Sequence, residues 1–281
     1  MRIGLILPVG APAPFLDEAL ASALEGDPPP DQHALVRDER GEGPAATRQA
    51  GLAQLDGCDW IALLDADDAW EPGKLAAQLK AVGRHPDAVL CFGRATAVGE
   101  DGRPTGEQLP ELPAGLLGAA ELAPVLYESN PIPTSSVLVR RDALVDAGGF
   151  AGPAPLASDW DLWLRLVEGG GSFLCEPRAR IRYRRHAGGV TADVAAMAES
   201  MLEVHAAHAG LVDDGARRRA ESRDLVLLAR GQIRQRRYRE AGEALARADA
   251  LVPLRGRERL LRPLVAVPGV RAVLGRRAPY R

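Results

Sequence analysis

Short segments that are apolar throughout alternate with segments of helical spacing along the first third of the chain. The apolar segments predict buried strands at Ile3–Leu7, Ala34–Val36, Trp60–Leu64 and Ala88–Phe92. Between them the spacing predicts helices at Phe15–Leu24 and Pro44–Leu55, and a third that has Pro72 in its first turn and runs to about Gly83. Such strands with helices between them are typical of a parallel sheet covered on both faces.

Beyond Gly99 the pattern is less regular. Gly99–Gly118 is rich in glycine, proline and charge and predicts a loop or hairpin on the surface. Further strands are predicted at Ser135–Val139, Phe173–Cys175 and Ile181–Tyr183, and Ser158 predicts the N-cap of a helix at Asp159–Glu168. After about Asp193 the pattern is helical. We therefore expect an α/β domain over residues 1–192 and a helical, basic extension over residues 193–281.

Charge is distributed unevenly along the 281 residues, whose net charge is −3. From Asp214 onward there are 18 Lys and Arg residues against 7 Asp and Glu residues. This asymmetry favours an anionic partner for the C-terminal segment, and a solvated, arginine-rich helical face is the simpler alternative. The basic helices would lie on an anionic membrane surface, pack on the α/β domain or form a dimer.

The cysteines are far apart in the sequence, at Cys58, Cys91 and Cys175. They predict buried thiols in a reducing cytoplasm, not a disulfide framework or a zinc site. The apolar run at the start is too short for a signal peptide, and no stretch approaches the ~18 apolar residues of a membrane-spanning helix. We expect a cytoplasmic location, with peripheral contact at the inner membrane face as an alternative, and no nucleic-acid partner.

The predicted strand Trp60–Leu64 leads directly into the acidic cluster Asp65-Ala66-Asp67-Asp68. Ligands of α/β sheets bind at the carboxyl ends of the strands, so the cluster lies where a site is expected. Carboxylates this close repel one another unless a cation lies among them, and oxygen ligands suit Mg²⁺ or Mn²⁺. The alternative is an acidic turn that caps the following helix, and Asp68 fits that role.

Several motifs around this cluster occur in the order found in a known family. They are Ile6-Leu7-Pro8-Val9, Thr47-Arg48-Gln49-Ala50-Gly51-Leu52, Leu64–Asp68, Asn130–Ser136 with Arg140-Arg141 and Gly148-Gly149-Phe150, Ser158–Trp163, and Arg182–His186. With these motifs the chain resembles the family 2 glycosyltransferases, which have the GT-A fold. The resemblance runs from Ile3 to about Thr191. It implies an α/β, Rossmann-like mixed sheet flanked by helices, followed here by the C-terminal helical extension.

The resemblance also implies roles for individual residues. Asp65 and Asp67 would hold Mg²⁺ or Mn²⁺ and the diphosphate of a UDP- or dTDP-sugar, at a donor site that includes Pro8 and Ala66. Asp159 would be the general base that deprotonates an acceptor hydroxyl, giving inversion at the anomeric carbon; its alternative is a capping role beside Ser158.

Five other side chains also have predicted roles. Arg48 is a candidate for phosphate or nucleobase binding. His186 would complete the metal shell or touch the diphosphate, or lie on the surface among arginines. Ser135 and Ser136 belong to the acceptor side. Trp160 would stack on a sugar, although core packing is the alternative.

The chain departs from the family pattern at the predicted nucleobase loop. Asp38 keeps the position expected to bond the base, but Glu39, Arg40 and Gly41 follow where the family has an aspartate, a glycine and a serine. The family's asparagine after the arginine is Gln49, and the acidic residue before the predicted base is Ser158.

The sequence thus predicts an inverting, metal-assisted glycosyltransferase. Its acceptor would be a glycan, a lipid-linked molecule or a small molecule. A non-catalytic GT-A module that binds a nucleotide, a glycan or a partner is the alternative, which the altered 38–43 loop favours slightly. A nucleotidyltransferase would also place carboxylates at strand ends, but Pro8–Pro14 lacks the basic, glycine-rich phosphate loop that it requires.

Overall fold

The chain folds into two units, Met1–Ala187 and Gly188–Arg281. The computed structural model describes residues 1–186, 193–259 and 261. The predicted boundary between residues 192 and 193 adjoins residues 187–192, which lie outside the described residues. Each unit is therefore described by itself.

The first unit has nine strands and six helices in its described residues. The strands are β1 (Ile3–Val9), β2 (Gln32–Arg37), β3 (Trp60–Leu63), β4 (Ala69–Trp70), β5 (Ala88–Val98), β6 (Pro104–Leu109), β7 (Gly115–Leu117), β8 (Leu138–Arg140) and β9 (Ser172–Arg184). The helices are α1 (Leu16–Leu24), α2 (Gly43–Gln54), α3 (Lys74–Val82), α4 (Ala119–Glu128), α5 (Arg141–Asp146) and α6 (Ser158–Glu168).

One mixed sheet has the strand order β2-β1-β3-β8-β5-β9-β4, with β6 beside β5 and β7 beside β9. The first three strands are parallel, as the apolar runs predict, so their carboxyl ends meet at one edge. The sheet is not parallel throughout, because β8 runs antiparallel to both β3 and β5. A short turn at Thr134–Ser136 precedes β8.

A close helix–strand contact brings α2 to the edge where the first strands end. Gly51 faces β1, and a Cβ atom there would lie 2.8 Å from Cγ2 of Ile6. The missing side chain lets the helix pack closely on the strand. Arg48, one turn earlier on α2, therefore lies near the carboxyl ends of β1 and β3.

Two predicted helix starts are wrong by one or two residues. Pro72 does not lie in the first turn of α3, which begins at Lys74 after Gly73 adopts a positive φ of 79°. Ser158 is not the N-cap of α6. Ala157 has that position, because its carbonyl accepts the first helical hydrogen bond, from the N–H of Asp161 at 3.0 Å.

Two strand predictions also differ from the structure. Ser135 and Ser136 lie in the Thr134–Ser136 turn, which is a short 3₁₀ helix, and β8 begins only at Leu138. The segments predicted as separate strands, Phe173–Cys175 and Ile181–Tyr183, are the two ends of the single strand β9. Pairing with β5 continues on both sides of an irregularity at Glu176–Ala179, so tertiary pairing joins what the sequence pattern separates.

The second unit contains α7 (Val194–Ala207), α8 (Asp214–Arg234) and α9 (Tyr238–Leu251), which pack around an apolar core. Several of its arginines are already engaged: Arg230 pairs with Glu258 at 3.3 Å, and Arg218 donates to the carbonyl of Leu251 at 2.7 Å. Within the described residues, no helix combines the length and apolar character that crossing a membrane requires.

Candidate functional site

The acidic cluster forms a tight turn after β3, at the edge where the parallel strands end. The N–H of Asp68 donates to the carbonyl of Asp65 at 3.1 Å and closes the turn. Asp65, Ala66 and Asp67 are half-buried, whereas Asp68 is 2% exposed. The turn therefore presents two carboxylates outward and buries the third.

Asp68 is held entirely by the protein. Its carboxylate accepts hydrogen bonds from the hydroxyl of Ser135 at 2.6 Å and from the N–H of Arg184 at 2.8 Å. Burial, followed by the charges of Asp67 and Asp65, raises its pKa well above the usual range. Asp68 is thus structural, but it does not cap the following helix: α3 begins after Gly73 and has no side-chain cap.

Asp67 faces His186, the last described residue of the first unit. Oδ2 of Asp67 lies 3.0 Å from Nε2 of His186, whose ring also contacts Phe15 edge-on. Burial and the charge of Asp65 raise the pKa of Asp67, and the hydrogen bond with His186 opposes that rise. The histidine is largely buried in this contact, so it does not lie on the surface among the arginines.

Arg48 lies among the carboxylates. Its Nη2 donates to Oδ1 of Asp65 at 2.6 Å, and its side chain is 8% exposed. Burial alone would lower its pKa, but the carboxylates of Asp65, Asp159 and Asp67 together raise it. Nε of Arg48 is buried and has no hydrogen-bond partner in the part of the chain that the structure describes. Arg48 is thus the cation that both the acidic turn and Asp159 face.

Asp159 is half-buried in the first turn of α6, where the positive end of the helix dipole favours a carboxylate. Its Oδ2 accepts hydrogen bonds from Oγ1 of Thr134 at 2.6 Å and from Nδ2 of Asn130 at 3.2 Å. Its Oδ1 accepts the N–H of Trp160 at 2.8 Å. The carboxylate is therefore fixed from two elements, α6 and the segment before β8.

The residues predicted for the acceptor side lie beneath the surface. Ser135 and Ser136 are fully buried; the hydroxyl of Ser135 bonds Asp68, and that of Ser136 donates to the carbonyl of Pro133 at 2.7 Å. Trp160 is 3% exposed, and its indole N–H donates to the carbonyl of Leu126 at 2.6 Å. In this structure their side chains support the site from below and do not face an open acceptor surface.

The predicted nucleobase position, Asp38, closes its own loop. Its two carboxylate oxygens accept the N–H groups of Glu42 at 2.8 Å and Gly43 at 2.9 Å, next to the start of α2. The N–H of Asp38 donates to the carbonyl of Val9, and Pro8 lies half-buried just before it on β1. Both residues thus lie at the expected edge, and the shortened loop folds back on Asp38.

The donor set of the acidic turn suits a hard divalent cation. Asp65, Asp67 and His186 supply carboxylate oxygen and imidazole nitrogen. Burial, followed by the charge of Asp65, raises the pKa of Asp67, and a bound cation would favour the ionised carboxylate. Among residues 1–186, 193–259 and 261, no three His, Cys, Asp or Glu side chains already converge as a metal cluster. The residues fit Mg²⁺ or Mn²⁺ only if donor oxygens or water complete the coordination shell.

Sequence reasoning missed the residues that brace this site. Thr134 and Asn130 bind Asp159. Arg184 donates through Nε to the carbonyl of Asp67 at 3.0 Å and through Nη2 to Glu18 at 2.6 Å. Arg184 is 6% exposed and occupied by these bonds. The Asn130–Ser136 motif pointed to this segment, but the motif does not show which of its side chains face Asp159.

Part of the chain is similar to known glycosyltransferases. A family model described as Glycosyl transferase family 2 matches residues 14–146. The Pre-mycofactocin glycosyltransferase of Mycobacterium tuberculosis (strain H37Rv) is 31% identical over 176 residues, which cover 60% of this chain. The chain spans 36% of the length of the mycobacterial relatives that it matches.

Solved structures share the fold at low sequence identity. The crystal structure of S. aureus TarS 1-349 in complex with UDP-GlcNAc has a TM-score of 0.63 and 15% identity, covering 98% of this chain and 88% of that one. The mannosyltransferase PcManGT from Pyrobaculum calidifontis, in complex with GDP-Man and Mn2+, has a TM-score of 0.52 and 16% identity, covering 98% and 86%. The predicted fold class, a GT-A mixed sheet flanked by helices with a helical extension, is confirmed.

Proposed function

Because a model of glycosyl transferase family 2 matches residues 14–146, we propose that this chain is an inverting glycosyltransferase. It would move a sugar from a nucleotide diphosphate, UDP or dTDP, to an acceptor hydroxyl. The acceptor is a glycan, a lipid-linked molecule or a small molecule, and the reaction takes place in the cytoplasm. UDP-GlcNAc bound to TarS and GDP-Man bound to PcManGT support a nucleotide-sugar donor.

One observation carries the proposal: Arg48 lies among the carboxylates of Asp65, Asp67 and Asp159. These carboxylates come from two elements far apart in the sequence, the turn after β3 and the start of α6. A group that deprotonates a hydroxyl and a group that binds a diphosphate must flank the same reacting carbon. The bond of Arg48 to Asp65 and its charge interaction with Asp159 support such an arrangement.

Asp159 is the proposed general base. A carboxylate oxygen can accept two hydrogen bonds, so Oδ1, which receives the N–H of Trp160, has capacity for an acceptor hydroxyl. The hydroxyl proton moves to Asp159 as the oxygen attacks the anomeric carbon, and the nucleotide diphosphate leaves from the opposite face. Hydrogen bonds from Thr134 and Asn130 hold the carboxylate in place during this step.

Asp65, Asp67 and His186 would hold Mg²⁺ or Mn²⁺ at the donor side. When bound, such a cation stabilises the negative charge that develops on the departing diphosphate. Arg48 offsets only part of the acidic charge of the turn, so an anionic donor meets net negative charge there. Donor binding should therefore depend on the divalent cation.

The test pairs binding with turnover. Calorimetry with UDP and Mn²⁺ should show binding that Asp67→Ala abolishes or weakens strongly, whereas Asp159→Asn retains it. Release of nucleotide from a panel of nucleotide sugars should fall by ~10²-fold or more in Asp159→Asn. Asp146→Asn, an exposed carboxylate on α5, serves as the control and should match the wild type in both assays. Near-normal turnover by Asp159→Asn would remove it as the base.

A non-catalytic binding module is the second candidate, and the closed loop at Asp38 favours it. Both carboxylate oxygens of Asp38 already accept the N–H groups of Glu42 and Gly43. Asp38 is therefore less available to a nucleobase than it would be in an open loop. Wild-type chain that binds UDP but releases no nucleotide from any sugar of the panel would support this candidate over the enzyme.

The helical unit has two candidate roles, contact with an anionic membrane and dimerisation. Its exposed arginines at the turn between α8 and α9, Arg236 and Arg239 among them, supply the positive charge. Flotation of the full chain with anionic and with neutral phospholipid vesicles, beside light scattering of the free chain, separates the two roles. Flotation with anionic vesicles alone supports membrane contact, and a dimeric mass without flotation supports dimerisation.

A further inference from the structure

The turn Thr134–Ser136 contacts both halves of the proposed active site. Oγ1 of Thr134 donates to Asp159 at 2.6 Å. The next residue, Ser135, accepts the N–H of Asp65 at 3.0 Å through its hydroxyl oxygen and donates the same hydroxyl to Asp68 at 2.6 Å. Consecutive side chains of one turn thus hold the base on one side and the acidic turn on the other.

Two deeply buried side chains hold this turn from beneath. The indole N–H of Trp70, on β4, donates to the carbonyl of Ser135 at 3.0 Å. Nε2 of Gln78, on α3, donates to the carbonyl of Ser136 at 2.9 Å and to that of Cys91 at 3.0 Å. Trp70 is 5% exposed and Gln78 is fully buried, so water does not compete for these bonds.

We propose that the Thr134–Ser136 turn is the positioning element of the site, which fixes Asp159 relative to the donor carboxylates, with Thr134 and Ser135 as its positioning residues. Trp70 and Gln78 fix the position of the turn through their hydrogen bonds to its carbonyl groups. The inference rests on the proposed glycosyl transfer, because it concerns the geometry of that reaction. It replaces the acceptor-contact role that the sequence suggested for Ser135 and Ser136.

The physical reason is the narrow tolerance of the reaction. The base and the donor must meet across one anomeric carbon, and an error near 1 Å in such an arrangement costs about 10²-fold in rate. Asp159 and Asp65 belong to elements that are 94 positions apart in the numbering. A short turn bonded to both is a stiffer link than two independent loops.

The first arm of the test separates positioning from folding at Thr134. Thr134→Val keeps the shape of the side chain and removes only the hydroxyl bonded to Asp159. We expect the kcat for nucleotide release to fall by roughly 10²-fold, with the Kd for UDP and Mg²⁺ within about twofold of wild type because the donor carboxylates keep their bonds. Thr134→Ser restores the hydroxyl and should recover most of the rate. Wild-type kcat in Thr134→Val, or equal losses in both variants, would overturn the proposal.

The second arm tests the connection between the turn and the donor carboxylates without measuring turnover. Addition of UDP and Mg²⁺ should move the indole N–H resonance of Trp70 in a ¹H–¹⁵N spectrum, because Ser135 connects that indole to Asp65. Trp70→Phe assigns the resonance. Trp163 is the comparison, since its indole N–H has no hydrogen-bond partner within the described ranges and its resonance should move little.

The two arms keep the proposals distinguishable. Wild-type chain that binds UDP but releases no nucleotide from any donor refutes the glycosyl transfer, and the Trp70 resonance still decides whether the turn reports the donor side. A Trp70 resonance that stays fixed at saturating UDP and Mg²⁺ overturns the positioning role.

Discussion

Replacing Lys74 by methionine should stabilise the protein at neutral pH. Lys74 is the first residue of α3 and is 1% exposed. Its ammonium lies 3.9 Å from the centre of the Trp70 ring and has no hydrogen-bond partner among the described residues. A charged group buried without a polar partner is costly, and methionine has a similar shape without the charge.

The size of the effect follows from the pKa of Lys74, which burial lowers to about 7. An unfolded lysine titrates near 10.4, and each pKa unit corresponds to about 1.4 kcal/mol, so the charged form costs roughly 4–5 kcal/mol when folded. Imperfect repacking around methionine offsets up to about 1.5 kcal/mol of this. We therefore expect Lys74→Met to raise the free energy of unfolding by about 2–3 kcal/mol at pH 7.

The pH dependence has a definite sign. Between about pH 7 and pH 10 the unfolded chain binds a proton at Lys74 that the folded chain lacks, so folded stability increases with pH. The destabilising effect is complete below pH 7 and disappears above about pH 10. The advantage of Lys74→Met should therefore shrink by about 2 kcal/mol between pH 7 and pH 9.

Urea unfolding at pH 7 and pH 9 measures both quantities, and scanning calorimetry should show a Tm increase of about 5–10 °C at pH 7. The matched control is Lys80→Met, which removes the same charge from the exposed end of the same helix. It should change stability by less than about 0.5 kcal/mol. The reasoning is refuted if Lys74→Met is less stable than wild type at pH 7, or if its advantage is the same at both pH values.

Three further substitutions test local geometry, each by urea or thermal unfolding. Arg236 has a positive φ of 62° at the end of α8, so Arg236→Gly should stabilise the chain by about 1 kcal/mol; a loss would contradict the assigned backbone. Gly93 packs against the carbonyl of Ala179, so Gly93→Ala should cost more than about 2 kcal/mol, and an unchanged Tm would count against this contact. Asp224 is buried, with Oδ2 2.5 Å from Nδ1 of His205. Asp224→Ala should lower the free energy of unfolding by about 3–5 kcal/mol, and a decrease below about 1 kcal/mol would contradict the importance of this pair.

The parallel part of the sheet and its functional edge could be predicted from the sequence because their signals are local. Each of the first three strands is a short apolar run, and Asp38 and Asp65 follow two of them directly. Carboxyl ends of parallel strands meet at one edge, so these positions come together without knowledge of distant contacts. The position of Asp159 came from the family resemblance, since one carboxylate at a helix start is a common feature.

The partners of these residues could not be predicted, because they come from distant parts of the chain. Arg184 bonds Asp68 and Glu18, which precede it by 116 and 166 positions. A run of arginines at the end of a strand has the same pattern whether it faces solvent, a phosphate or the protein interior. Only the packing of β9 against α1 and the acidic turn decides which applies.

Burial also reverses the interpretation of the small polar residues. Ser135 and Ser136 follow two prolines and precede an apolar run, a pattern that predicted a strand with hydroxyls available to an acceptor. In the structure the hydroxyl of Ser135 donates to the carboxylate of Asp68, and the hydroxyl of Ser136 donates to the carbonyl of Pro133. Sequence alone does not distinguish a serine that binds a ligand from one that braces a loop, because both are small, polar and placed near acidic residues.

Protein contacts also account for the shape of the acidic turn. Asp65 is paired with Arg48, Asp67 with His186, and Asp68 with Ser135 and Arg184. Each carboxylate therefore has a partner from its own chain, and the turn does not depend on a cation for its conformation. A divalent cation at Asp65 and Asp67 would have to share or exchange these partners, and an arriving diphosphate supplies the oxygens that make such an exchange favourable. The proposed cation would therefore act in donor binding and not in the fold.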